Sequence, residues 1–139
     1  MSNYTMKNFK IQELVTPTTF DVLGESALRL FDPHVLTMLD KFRDNFGQSL
    51  VVNNWHIGGD YKESGLRDII TKTGAKRSAH KFGIAFDLKT KDMDALREFI
   101  KSFGAFYCIS RVEHFDKTPT WCHVEFGKVQ QKSIYFFNP

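Results

Sequence analysis

The sequence predicts an α+β domain, and three features carry that expectation. Apolar residues recur at helical spacing in two stretches, 35–46 and 96–103. Alternation of apolar with other residues marks strands in GIAFDLK (83–89) and TWCHVEF (120–126). No repeat, low-complexity tract or linker divides the 139 residues, a length that one core serves. With helices mainly in the first half and strands in the second, the expected sheet is mostly antiparallel with helices on one face. A single domain over 1–139 is expected, with a mainly helical lead-in over 1–48 and the core over 49–139.

Taken in order, Leu28, Leu30 and Phe31 lead to Asp32-Pro33, where aspartate suits an N-cap and proline the first helical position. Val35, Leu36, Met38, Leu39, Phe42 and Phe46 then form the apolar face of a helix that Gly47 closes. SLVVNN (49–54) reads as a short strand. The polar, glycine-bearing stretch 55–79 shows little periodicity beyond a turn near Leu66–Ile70, and a loop this long in a compact domain is usually functional. In GIAFDLK, Ile84, Phe86 and Leu88 share one face, with Ala85 and Asp87 on the other. Thr90 or Asp92 caps a second helix whose Leu96, Phe99, Ile100 and Phe103 precede Gly104. Phe106–Phe115 and Thr120–Gly127 read as strands joined by a hairpin at Asp116-Lys117-Thr118-Pro119, and Ile134–Phe137 as a last strand.

Composition narrows the function classes. With 42% hydrophobic and 25% charged residues the chain is globular, not disordered. Fourteen Phe point to a core built on rings. A net charge of +3 with acids and bases interleaved is too mild for a nucleic-acid binder, so no nucleic-acid partner is expected. Cys108 and Cys122 are too few for a disulfide scaffold, and each sits in an apolar run as a buried thiol would. No stretch approaches the roughly 20 apolar residues that span a bilayer, so no membrane insertion is expected. MSNYTMKNFKIQEL lacks an apolar signal-peptide region, so synthesis in a cytoplasm is expected.

Chemistry concentrates in SAHKFGIAFD (78–87) and TWCHVEF. His80 precedes the first strand, and Asp87 faces away from Ile84 and Phe86. Ala85, on the face of Asp87, is small enough to leave space above the sheet. In the second segment Cys122, Val124 and Phe126 alternate with Trp121, His123 and Glu125, so His123 is also turned from the apolar face. Two imidazoles and a carboxylate on one polar side, with a position left open, have the composition of a catalytic zinc site.

These residues resemble a family. SAHKFGIAFD matches the S-x-H-x-x-G-x-A-x-D signature of the zinc D,D-peptidases, whose fold is shared with hedgehog signalling domains, at Ser78, His80, Gly83, Ala85 and Asp87. Trp121-Cys122-His123 looks like the family's W-x-H motif, and the order His, Asp, His is the family's order. The resemblance runs from about Asn53 to the C-terminus and is nearest the compact phage-encoded, endolysin-like branch. It implies Zn2+ held by His80, Asp87 and His123. It also implies cleavage of the stem peptide of bacterial peptidoglycan, of D,D-carboxypeptidase or L-Ala-D-Glu endopeptidase type. A monomer is expected, made in a host cytoplasm and acting at the cell wall after release or on the virion. Two other functions fit the same fold: a zinc-bearing binding module without turnover, and a zinc carboxypeptidase acting on a cytoplasmic dipeptide.

Several branches of the family place an acid three residues before the last His, where this chain has Thr120. A hairpin turning about Thr118 would set Glu113 opposite His123, with Cβ atoms about 4.5–5.5 Å apart. Arg111-Val112-Glu113 also resembles the R-x-E segment of the phage branch. Glu113 is therefore the expected base, with Asp116 and Glu125 as alternatives. Ser64-Gly65-Leu66-Arg67 resembles the family's S-G-Y-R segment, which gives Arg67 a substrate carboxylate or an oxyanion to bind, with Arg77 as its rival. Ser78 is read as orienting the site and His56 or His114 as lining it. His34 is read as a surface residue, and Trp121 and Trp55 as wall or core.

Overall fold

Side-chain caps start each α-helix in the computed structural model, which describes residues 6–139; the first five residues of the expected lead-in lie outside the described residues. The Thr16 hydroxyl accepts from the Thr19 N–H ahead of α1 (Pro17–Leu23). Asp32 accepts from the His34 N–H ahead of α2 (Pro33–Phe46), and Asp92 from the Ala95 N–H ahead of α3 (Met93–Phe103). Each cap satisfies a donor that the helix itself leaves unpaired. Gly47 ends α2 at φ 78°, a left-handed conformation that favours glycine. Asp92, not Thr90, caps α3; the Thr90 hydroxyl donates to the Ser49 carbonyl instead.

Among the described residues, four strands form one sheet in the order β1 (Ala85–Leu88), β3 (Cys122–Phe126), β2 (Ile109–Glu113), β4 (Tyr135–Phe137). β3 pairs antiparallel with β1 and with β2, whereas β4 runs parallel to β2. The sheet is therefore mixed. Residues 127–131 carry the chain over the start of β2, where the Gly127 N–H donates to the Cys108 carbonyl and the Gln131 N–H to that of Ala105. β4 consequently enters in the direction of β2.

Two expected strands change. SLVVNN contributes one isolated bridge, Val51 to Lys89, because the Asn53 N–H is taken by the Glu13 carbonyl and the Asn54 N–H by that of Tyr61. The strand expected over 106–115 is shorter. Gly104–Tyr107 is a 3-10 turn, Cys108 adopts φ 67°, and Phe115–Lys117 is a second 3-10 turn. From Arg111 onward the expected register holds, with Arg111 facing Glu125 and Val112 facing Val124; before it, an irregularity between Ile109 and Arg111 shifts the ladder so that Ile109 faces Phe126.

One face of the sheet builds the core. Phe86, Leu88, Val112, Val124 and Phe126 cluster with Leu36, Leu39 and Phe42 of α2 and Leu96 and Ile100 of α3. The ring-rich core is present: Phe42 meets Phe99 at 5.0 Å and Tyr107 at 5.8 Å, both edge-on. Both cysteines are buried and unpaired, and burial pushes the Cys122 thiol up to about 12. His34 is half-buried instead of a surface residue, because its Nε2 is enclosed. Among the described residues no helix is long and apolar enough to cross a membrane.

Residues 13–15 strap the long loop to this body. The Glu13 carbonyl accepts from the Asn53 N–H, and that of Leu14 from the Leu66 N–H. The Val15 carbonyl accepts from Asn53 Nδ2 and Trp55 Nε1, which makes Trp55 a structural residue. Gly65 lies so close against the Leu14 backbone that a Cβ has no room. Gly65→Ala should therefore cost about 1–3 kcal/mol of stability, the range for overpacking a tight contact. A denaturant midpoint equal to wild type would show that the strap yields freely.

Candidate metal centre

Strand alternation and register assemble the site. β1 turns Asp87, and β3 turns His123 and Glu125, to the face opposite the core, and Asp87 pairs directly with His123 across the ladder. His80 arrives from the 3-10 turn Ala79–Phe82, which Ser78 caps by accepting the His80 N–H at 3.2 Å. Gly83, at φ 70°, then turns the chain toward β1. The loop runs beside β1: the Ser64 carbonyl accepts from the Asp87 N–H, and the Arg67 N–H donates to the His80 carbonyl.

Hydrogen bonds from outside fix both imidazoles. His80 Nδ1 lies 2.9 Å from the Gly65 carbonyl, which can only accept, so Nδ1 carries the proton. His123 Nε2 lies 2.8 Å from a Glu125 carboxylate oxygen, so Nε2 carries the proton there. The inward atoms are then three lone-pair donors: His80 Nε2, His123 Nδ1 and Asp87 Oδ1. They stand 3.1 Å (His–His), 3.0 Å (His123–Asp87) and 3.2 Å (His80–Asp87) apart. Such a triangle is repulsive unless a cation or a proton occupies it.

The donor set fits a divalent metal. Tetrahedral zinc with bonds of about 2.0–2.2 Å needs ligand atoms about 3.3–3.5 Å apart, a few tenths wider than the triangle. His80, Asp87 and His123 are also the group of described residues whose donor atoms converge closely enough to hold an ion. Two imidazoles and one carboxylate suit zinc, and other first-row divalent ions as well.

Without metal, the charges settle on Asp87 and His123. Burial alone would raise the Asp87 carboxyl, but the two imidazoles beside it, His123 foremost, outweigh burial and hold it well below the usual carboxylate range. Burial opposes charge on His123, yet the hydrogen bonds to Asp87 and Glu125 prevail and raise it to about 9.

The triad lies in the wall of a cleft of about 590 Å³ that also includes Arg67, Arg77, Glu113, Trp121, Phe137 and Pro139. Continuing the β2–β3 register brings Glu113 to His123. Glu113 is half-buried, its carboxylate makes no hydrogen bond or ion pair to the described residues, and burial raises that carboxyl above the ordinary value. Arg67 is largely committed: Nε donates to the Glu63 carbonyl at 2.7 Å, and Nη2 reaches Asp87 Oδ2 at 3.5 Å. Arg77 is exposed on the rim.

Three other candidates fall outside. Asp116 is exposed, the His56 ring packs on Trp55 and the His114 ring on Phe136, and none lines the cleft. Ala85 is fully buried, so the space expected above it lies instead over Asp87. Glu125 engages His123 through Oε2 and Arg111 through Oε1 at 3.5 Å, which removes it from the free bases. That role was available from the H-x-E spacing, since residues two apart on a strand share a face. The contribution of Phe137, edge-on to the His123 ring at 5.7 Å, was not, because it comes from β4.

No family model, curated protein or solved structure matches the chain.

Replacing His80, Asp87 or His123 by Ala should each remove most bound metal; full occupancy retained in two of the three variants would refute the ligand assignment. Affinity should also depend on pH. His123 is raised from 6.5 to about 9, so its charged pairing stabilises the metal-free protein fully below 6.5 and is lost as pH rises through 9. Metal must displace that proton. Apparent zinc affinity should therefore rise about tenfold per pH unit between 6.5 and 9 and then level off, as chelator competition across that range would read.

Proposed function

We propose that the protein is a zinc peptidase of the D,D-peptidase and hedgehog-like fold that cuts the stem peptide of bacterial peptidoglycan. The observation that carries this reading is the convergence of three lone-pair donors, locked from outside, on a cleft that also holds a free carboxylate, Glu113. The S-x-H-x-x-G-x-A-x-D and W-x-H resemblance supports the substrate class. Zinc, when bound, would supply a Lewis acid that activates water and polarises a carbonyl. Glu113 takes a proton from water in the cleft and returns it to the leaving amine, a task its raised pKa suits. Arg67 keeps Asp87 oriented and offers its remaining N–H groups to a substrate carboxylate or oxyanion. Trp121 and Phe137 supply apolar wall.

Thr120 favours one other reading. It is exposed and outside the cleft wall, so no proton acceptor stands where several branches of the family carry one. A zinc-bearing binding module without turnover follows if Glu113 does not serve.

Purified peptidoglycan digested with the zinc-loaded protein should release stem-peptide fragments identifiable by mass spectrometry. Glu113→Gln should keep zinc and fold while losing roughly 10²–10⁴-fold in turnover. Activity that survives this change but falls in Asp116→Asn would move the base. A wild type that is full of zinc yet releases no fragment would establish the binding module.

A further inference from the structure

His123 is held on the nitrogen that points away from the triad as firmly as on the one that points in. We propose that Glu125 is a positioning residue that accepts the Nε2–H of His123 and thereby commits Nδ1 to the metal. The inference rests on reading the triad as a metal centre.

Four contacts carry it. Glu125 Oε2 lies 2.8 Å from His123 Nε2, and both side chains are only 12% exposed, so water competes little for the bond. Glu125 Oε1 lies 3.5 Å from Nε of Arg111, its cross-strand partner, so the carboxylate is fixed at both oxygens. The Arg111 guanidinium lies 4.5 Å over the Phe137 ring, and Phe137 stands edge-on to His123. The back of the site is thus closed by an aromatic ring from β4, a cation from β2 and a carboxylate from β3.

The consequence is orientational. Rotating the His123 ring by half a turn exchanges Nδ1 with Cδ2 and Nε2 with Cε1, which sets carbon against both Asp87 and Glu125. The flipped ring loses the hydrogen bond to Glu125 and turns carbon, not Nδ1, toward the triad. Without Glu125 no acceptor would hold the Nε2–H, and the neutral ring would be free to carry its proton on either nitrogen. Carboxylates behind ligand histidines act in this way, and their removal typically weakens metal affinity 10–100-fold.

The test uses the full chain. Nitrogen-15 NMR of the histidine rings is recorded metal-free at pH 10, with the neutrality of each ring read from its own nitrogen shifts, and zinc-loaded at pH 7; zinc affinity is measured by competition with a chelating dye. The wild type should show the His123 proton on Nε2 in both samples. Glu125→Ala should bind zinc about 10–100-fold more weakly, and its metal-free His123 should populate both tautomers. Glu125→Gln, whose amide oxygen still accepts the Nε2–H, should recover most of the affinity. A wild-type proton on Nδ1 at pH 10, or unchanged affinity and tautomer in Glu125→Ala, would overturn the proposal. A wild type that binds no zinc would end the metal reading, while the pH 10 spectrum alone would still decide what Glu125 does.

Discussion

Three donor atoms held within 3.2 Å of one another are an arrangement that a folded chain must enforce, because their lone pairs repel wherever neither a proton nor a cation lies between them. The enforcement comes from the β1–β3 ladder, which sets Asp87 opposite His123. A one-residue slip in that register would turn His123 into the core and bring Cys122 or Val124 to the cleft. Register here is strongly specified, since the same slip would expose the entire apolar face that Phe86, Leu88, Val124 and Phe126 bury. The hydrophobic core and the candidate metal centre are thus two readings of one pairing.

His80 depends on a different construction. It sits on no strand, and its ring is oriented by the carbonyl of Gly65, a residue of the long loop. That loop is held by the strap at residues 13–15 and by buried Lys89, whose ammonium donates to the Ser64 hydroxyl and to the Asp87 carbonyl. The N-terminal segment therefore supports a histidine of the triad from a distance that its own sequence neighbourhood does not reveal. It also explains why the loop, with almost no regular structure of its own, holds a defined position: its backbone donors find partners in the strap and beside β1.

The cleft carries three carboxylates with three fates. Asp87 points inward and is held ionised by the histidines. Glu125 is engaged at both oxygens, and the Glu113 carboxylate has no partner among the described residues. Residue type alone assigns none of these roles; each follows from what stands within reach of each oxygen. The division leaves Glu113 as the unpaired carboxylate among the acids of the cleft wall, where the β2–β3 hairpin register had placed it from the sequence.

The sequence by itself determined the α+β class, the two long helices with the Asp32 and Gly47 boundaries of α2, the two alternating strands, and the shared face of Asp87 and His123. These are local or nearest-neighbour properties: apolar period, cap chemistry, and the face to which a strand turns each residue. Tertiary structure decided the parallel β4, the loss of the 49–54 strand, the enclosure of His34 and the 3-10 turns that shorten β2. It also decided which nitrogen of each histidine faces inward. Those outcomes depend on distant backbone groups (the Glu13, Leu14 and Gly65 carbonyls, the crossing at 127–131) competing for the same donors, and a one-dimensional pattern does not contain that competition.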